Sequence, residues 1–398
     1  MLKNIINTLP NEIISLWVNS KNAHVCQLWH NILYRKPMSV KLWCGTHRYD
    51  RIMTDYPLET FFKFKCLIGL DLGTKIVTEE SFKQLTTLRT LVIHDNNHVT
   101  DKMLYGLTNL TSLSLYSNEQ LTDQALKSLT NLQYLYLSSN KLITEEALKF
   151  LTQLTKLDLG SFLITDDSLK FLTQLTKLDL GSFLITDDTL KHLTKINYLA
   201  FPGYRITDES MKCLTEIDHL KLYGKSSISN KSIKYLTKIN NLSLYDSNLI
   251  TDKSVKHLTK ITSLDIFNCD LVTDSSIKKL TNMTDLQIEK CNNITCKSLK
   301  YLTNLTSIYV CDWQQIDNDE FGKLTHLKSL NVYHDESITG ESISRLVGLE
   351  SLKLYANKNV TNENIQVLTN LKELCLENYD QIEGHELKLP NLIDFTQY

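Results

Sequence analysis

A six-letter phrase, L-x-x-L-x-L or a close aliphatic spelling of it, begins at residues 67, 88, 110, 132, 154, 175, 196, 217, 239, 261, 283, 305, 327, 349 and 371. A truncated copy begins at Leu392, and neighbouring copies stand 21 or 22 residues apart. A unit that short cannot bury a core alone, so the units must stack into an array whose stability is mainly nearest-neighbour. Residues 151–171 and 172–192 are almost one text, differing only at Ser168/Thr189 and Phe171/His192. Such copying is tolerable where every unit meets the same kind of neighbour on both sides.

Within a unit such as 110–131 the hydrophobic period changes once. Leu113 and Leu115 alternate with polar residues, as in a short half-buried strand. Leu126 and Leu129, three apart, mark the inward face of a short helix. Thr122 between them suits an N-cap, and Asp123 in the first turn suits the positive end of the helix dipole. The same cap position recurs at Thr78, Thr100, Thr144, Thr165, Thr186, Thr207, Thr251 and Thr273. Carboxylates such as Asp166 are therefore read as capping groups, not catalytic ones.

These units resemble the leucine-rich repeat, which implies an α/β solenoid of horseshoe form. A parallel β-sheet would line the concave face and short helices the convex face. Family units carry Asn or Cys three residues after the last strand leucine, where the side chain satisfies turn backbone groups. Here that column reads Asn96, Asn118, Asn140, Phe162, Phe183, Tyr204, Lys225, Ser247, Cys269, Cys291, Trp313, Asp335 and Asn357. Cys269 and Cys291 are thus expected to be structural, and looser or altered curvature is expected around residues 160–230, where the column lapses.

The resemblance also sends the residues between the strand leucines to the concave face. The residue after the last strand leucine is aromatic in six of fourteen units, against 9% aromatic residues in the chain. Those six are Tyr116, Tyr223, Tyr245, Phe267, Tyr333 and Tyr355, with Tyr136 and Tyr309 one column over. Tyrosine offers a large rigid area with a polar tip, so these eight are the expected target-binding residues. The near-identical units interrupt them with a flat polar patch, Lys156, Asp158 and Gly160, then Lys177, Asp179 and Gly181.

Before residue 67 the repeat vanishes. Residues 9–18 and 24–33 read as two apolar helices, the first opened by Pro10. Their wording, "LPNEII…VCQLWHNIL…LW", resembles the F-box, over roughly residues 8–43. The resemblance implies a small α-helical N-terminal domain that docks on a Skp1-like adaptor and, through it, a cullin complex. Leu9, Pro10, Glu12, Ile13, Ile14, Val25, Trp29 and Trp43 would form the adaptor-binding surface. The stretch between the two signatures is about seven residues shorter than the F-box norm, and that before the final "LW" some four longer. The other reading of this segment is a cap on the first repeat.

The expected organisation is an F-box-like domain over 1–45, a connector and N-terminal cap over 46–66 and the repeat array over 67–398. The matching function is the substrate-recognition subunit of an SCF-type ubiquitin ligase. The alternative is a non-ligase interaction scaffold. No glycine-rich phosphate loop, HExxH or GxSxG motif is present, and His192, His219, His257 and His326 have no paired nucleophile in sequence. The chain is accordingly read as no enzyme, with no catalytic, cofactor-binding or metal-binding residues and no cofactors. A net charge of −2 argues against nucleic-acid or membrane partners. Nine cysteines without a CxxC pair, and Pro10 and Glu12 interrupting any signal-peptide core, suit a non-secreted, cytoplasmic or nuclear monomer. The Asn-, Ile- and Lys-heavy wording suits an AT-rich genome, such as that of an amoeboid organism or a giant virus infecting one.

Overall fold

The computed structural model describes residues 38–41 and 67–397, except 74–77, 161–163, 182–184, 203, 225, 314–315 and 378–386. It divides into two bodies, Met1–Ile185 and Thr186–Tyr398.

In the N-terminal body each unit contributes one strand: Leu67–Asp71, Thr90–His94, Ser112–Tyr116, Tyr134–Ser138, Lys156–Asp158 and Lys177–Asp179. Successive strands pair in parallel with equivalent residues opposite, so Leu113 faces Leu135 and Leu115 faces Leu137. That register follows from the leucines, because a one-residue slip would turn every leucine to the other face. The sheet begins before the first leucine phrase, where Met38–Lys41 pairs in parallel with Leu67–Asp71. The strands of the near-identical units have three residues where their neighbours have five. Gly160 closes the first of them at φ +37°, and a Cβ there would stand 2.6 Å from Ser138 Oγ. Only glycine fits both the left-handed backbone and that approach.

The C-terminal body repeats the plan from Tyr198–Pro202 to Asp394–Gln397, again with parallel neighbours throughout its described strands. In both bodies most described strands are followed by a short turn of helix, for example Asp123–Lys127 and Asp252–Val255, or by a 3-10 turn at Glu145–Phe150. The turn at Asp123–Lys127 stops before Leu129, which packs from the loop that follows. Leu110, Leu113, Leu115, Leu121, Leu126 and Leu129 are all fully buried, so one unit donates six leucine side chains to the strip between strand and helix. Each is worth about 1.5–3 kcal/mol when buried.

Two hydrogen-bonded ladders tie unit to unit. At the strand ends, buried Asn118 donates from Nδ2 to the carbonyls of Ile93 (3.2 Å) and Tyr116 (3.1 Å), while its own N–H reaches Asn140 Oδ1 at 3.0 Å. Cys269 and Cys291 occupy the same place, with Sγ–H to Phe267 O at 3.2 Å and to Glu289 O at 3.3 Å. The expected structural role of both cysteines is therefore seen directly. Tyr204 is half exposed and leaves the ladder. In the next unit the buried residue is Ser226, one place after Lys225, with its Oγ accepting from Ile228 N–H at 3.0 Å.

Before each ladder residue stands a left-handed one, such as Ser117 (φ +50°), Asp246 (φ +53°) and Ala356 (φ +52°). This turn aims the N–H at the next strand: Asp246 N–H meets Phe267 O at 2.9 Å and Ala356 N–H meets Glu377 O at 3.0 Å.

The second ladder runs along the helix starts. Thr122, Thr144, Thr207, Thr251 and Thr273 accept from their own first-turn N–H groups, as capping requires. Thr100 and Thr165 hold the cap position without that bond. At several helices the opening acidic residue does more than sit at a dipole. Asp252 takes both the N–H (2.9 Å) and the hydroxyl (2.6 Å) of Thr273 in the following unit, and Asp274 does the same for Thr295 at 2.8 and 2.6 Å. Burial pushes the Asp208 carboxyl up, but bonds from Ser229 and Ser232 outweigh it and hold the group below the usual carboxylate range. Asn230 and Asn318 serve in the same place through Oδ1, at 3.0 Å to Thr251 N–H and 2.9 Å to Thr339 N–H. The requirement is thus an acceptor, not a charge. Asp252→Ala is expected to lower stability by about 1 kcal/mol in a urea titration, and Asp252→Asn to stay near the parent. Equal losses for the two would show that charge is what counts.

The recurring "LTNLT" has its own structural cause. Asn109 Nδ2 donates to Thr86 O at 2.8 Å and Asn304 Nδ2 to Thr281 O at 3.0 Å, each bracing the preceding unit.

Candidate protein-binding face

On the strands, leucines turn inward and the residues between them form the other, half-exposed face, with the burial pattern alternating along Ser263–Phe267 and Ser351–Tyr355. Parallel pairing in register sets equivalent residues of successive units side by side at about the 4.8 Å spacing between strands. Rings in one column therefore touch.

In the C-terminal body Tyr223, Tyr245 and Phe267 form one row, with centroids 5.2 and 6.2 Å apart. Tyr309, Tyr333 and Tyr355 form another, at 6.4 and 4.4 Å, and His334 meets Tyr333 edge-on at 4.9 Å. Tyr309 joins from the neighbouring column. Between the rows the column carries Glu289 and Cys311, so the aromatic surface is divided inside this body, by an acid and a thiol. In the N-terminal body Tyr116 is 39% exposed and lies 6.4 Å from His94, and Tyr136 stands one column away from it, opposite Ser114 and Asp158. All eight expected target-binding residues thus lie on strand faces, two in one body and six in the other. Leu9, Pro10, Glu12, Ile13, Ile14, Val25, Trp29 and Trp43 lie outside the described residues.

Charges thread these rows. Tyr245 donates its hydroxyl to Asp265, and burial together with that bond pushes the phenol well above its ordinary range. Burial also raises the Asp265 carboxyl, against the pull of Tyr245 and of Lys221. Lys290 lies 5.4 Å over the Phe267 ring, and Lys353 pairs with Glu373 at 2.8 Å. Reading for aromatic residues missed Asp265, Glu289 and Lys221, although they occupy the same strand-face columns.

The arrangement offers a face of rings and charges suited to adhesion. Among the described residues no cluster of three or more His, Cys, Asp or Glu could hold a metal ion. Burial pushes the thiols of Cys269 and Cys296 up to about 12 and that of Cys291 up to about 11, so they stay protonated. Iodoacetamide on the folded chain is expected to label exposed Cys213 and to spare those three until urea unfolds it, as peptide mass mapping would show. Rapid labelling of Cys269 in the native protein would contradict its place in the ladder.

A family model described as a leucine-rich repeat matches residues 257–281, about one unit of the array. No curated protein matches the chain. Among solved structures, a chain of the Rad7–Elc1 complex in yeast is 17% identical, with 66% of this chain and 81% of that one covered and a TM-score of 0.52. A chain of the Toll–Spatzle complex of Drosophila is 18% identical over 93% of this chain and 58% of that one, with a TM-score of 0.50. An internalin from Listeria monocytogenes is 25% identical over 80% and 88% of the two chains, with a TM-score of 0.46. The folds of the two complex chains, the matched unit and the recurring strand and helix on either side of it lead to one conclusion: the chain has a leucine-rich-repeat fold.

Proposed function

We propose that the chain is the target-recognition subunit of an SCF-type ubiquitin ligase. Its strand face holds a protein to be modified, and its N-terminal segment holds a Skp1-like adaptor and the cullin complex. The observation that carries the first half is the pair of aromatic rows in ring-to-ring contact, which present rigid amphipathic area at low cost in side-chain entropy. The second half is supported by the F-box-like wording "LPNEII…VCQLW". Such a subunit supplies proximity and orientation, leaving the chemistry to other subunits.

The test uses the full-length chain co-expressed with a Skp1-like adaptor. Parent protein should co-purify with adaptor, and the Leu9→Ala/Pro10→Ala double variant should lose at least about tenfold in affinity, since the removed anchors would lie at the centre of that contact. If the parent retains no adaptor, the ligase assignment is wrong.

A second reading, an interaction scaffold whose N-terminus caps the array, draws on a different observation. Met38–Lys41 adds a strand to the edge at Leu67–Asp71 and so covers backbone that an open edge would expose. Cutting between that strand and residue 67 is then expected to destabilise the first repeats. For this reason the adaptor test keeps the chain whole.

A further inference from the structure

The strand face of the C-terminal body is acidic as well as aromatic. Its strand-face positions, with the left-handed residue that closes each strand, carry eight Asp or Glu and three Lys. That is a formal charge of −5 on one face of a chain whose total is −2. Two of the three lysines are engaged within the face: Lys353 with Glu373 at 2.8 Å, and Lys290 with Asp312 at 3.8 Å.

Alongside the Tyr223–Tyr245–Phe267 row, just past the ends of those strands, lies an open cavity of about 620 Å³. Its walls include Tyr204, Gly224, Asp246, Asn268 and Asp270, and no described lining residue is basic. Gly224 holds φ +71°, and a Cβ there would come within 2.8 Å of the Tyr204 hydroxyl, so the tyrosine ring lies against glycine backbone. Asp246 accepts from Asn268 Nδ2 at 2.7 Å and Asp270 from Asn292 N–H at 3.2 Å. Both are neutral donors, which orient the carboxylates and leave their charge in place. Buried Ser247, another lining residue, has a hydroxyl without a hydrogen-bond partner.

We infer that this face takes a cationic, Arg- or Lys-bearing extended segment of the target protein, one of whose basic side chains enters the Tyr204–Asp246–Asp270 cavity. A guanidinium can stack on the tyrosine while its N–H groups reach the carboxylates, and further basic side chains can lie over the aromatic rows. An acidic segment or a nucleic acid would meet the same face with like charge. This inference rests on the strand face being the target site, and it adds the chemistry of what binds.

The experiment pans short random displayed peptides on the full-length chain and measures the enriched ones by fluorescence anisotropy. Enriched peptides should be rich in Arg and Lys and weaken as salt rises. They should lose about tenfold or more in affinity to Asp246→Asn/Asp270→Asn and to Tyr204→Ala, because charge and ring each carry part of the contact. The carboxylate-to-amide changes keep shape, and an unchanged circular dichroism spectrum establishes that the variants fold. Peptides without basic residues that still depend on Tyr245 and Tyr333 would overturn the inference while leaving the target face standing. Peptides indifferent to all these substitutions, or no enrichment at all, would overturn both.

Discussion

Replacing Trp313 by alanine should lower the stability of the C-terminal body by about 4 kcal/mol. Trp313 is 1% exposed and fills the ladder position where units such as those of Asn118, Asp335 and Asn357 keep a small polar side chain. Its indole Nε1–H donates to Ile294 O at 2.8 Å and its backbone N–H to Asp335 Oδ2 at 2.8 Å. Alanine would leave a cavity and orphan the Ile294 carbonyl together. Trp313→Phe separates the two effects, since the ring still fills most of the space. Its expected cost is about 1–2 kcal/mol, the penalty for one buried acceptor left without a donor. Urea titration followed by tyrosine fluorescence measures the totals, and hydrogen exchange should place the loosened amides around residues 294–335. A loss below about 1 kcal/mol for alanine would mean that the indole is not the packing centre described here.

Asn118→Ala in the N-terminal body should cost about 3 kcal/mol, as several buried groups lose partners at once. The Ile93 and Tyr116 carbonyls each lose the Asn118 donor, Tyr116 keeping only Asp95 N–H at 2.9 Å, and Asn96 N–H loses the Oδ1 that it reaches at 3.2 Å. Asn118→Asp sharpens the test. Aspartate keeps the acceptor but turns a carboxylate toward two carbonyl oxygens in a fully buried place, which disfavours its charged form. Its folded-state pKa would be raised, so the variant should be closest to the parent at acid pH. The stability should then be lost as pH rises through the carboxylate range into neutrality. A variant as stable as the parent at neutral pH would show that the donors of residue 118 are dispensable. Asp335 shows why aspartate is tolerated elsewhere: its carboxylate faces N–H groups of Trp313 and Ser337 at 2.8 and 2.9 Å.

The period of the leucines fixes strand, register and core almost completely, because burial of one face admits a single alternation. The ladder columns were legible too, down to Cys269 and Cys291. Where the reading failed, the cause was a contact between residues about 21 apart. Asp252 looks like a dipole partner within its own helix, and only the stacked neighbour reveals Thr273 as the group it serves. The hint was present in Asn230 and Asn318, which keep the acceptor without the charge. Ser226 was hidden by a shift of one residue, the column count having settled on Lys225. The aromatic columns were visible as spacing, but that the rings lean on each other and that Asp265 sits beneath Tyr245 are matters of side-chain direction, which spacing does not carry.

The two ladders point in opposite senses along the chain. At the strand ends a unit's amide waits for an oxygen from the unit after it, as Asn96 does for Asn118. At the helix starts a unit's threonine waits for an oxygen from the unit before it, as Thr122 does for Asp101. Severing such an array therefore wounds its two halves differently: the leading half keeps a raw loop, the trailing half a raw helix. Genetic excision or gain of whole units heals both wounds at once, whereas any cut out of phase heals neither. A chain wired in this way is editable only in whole words, and the near-verbatim pair at 151–192 is what one such edit would look like.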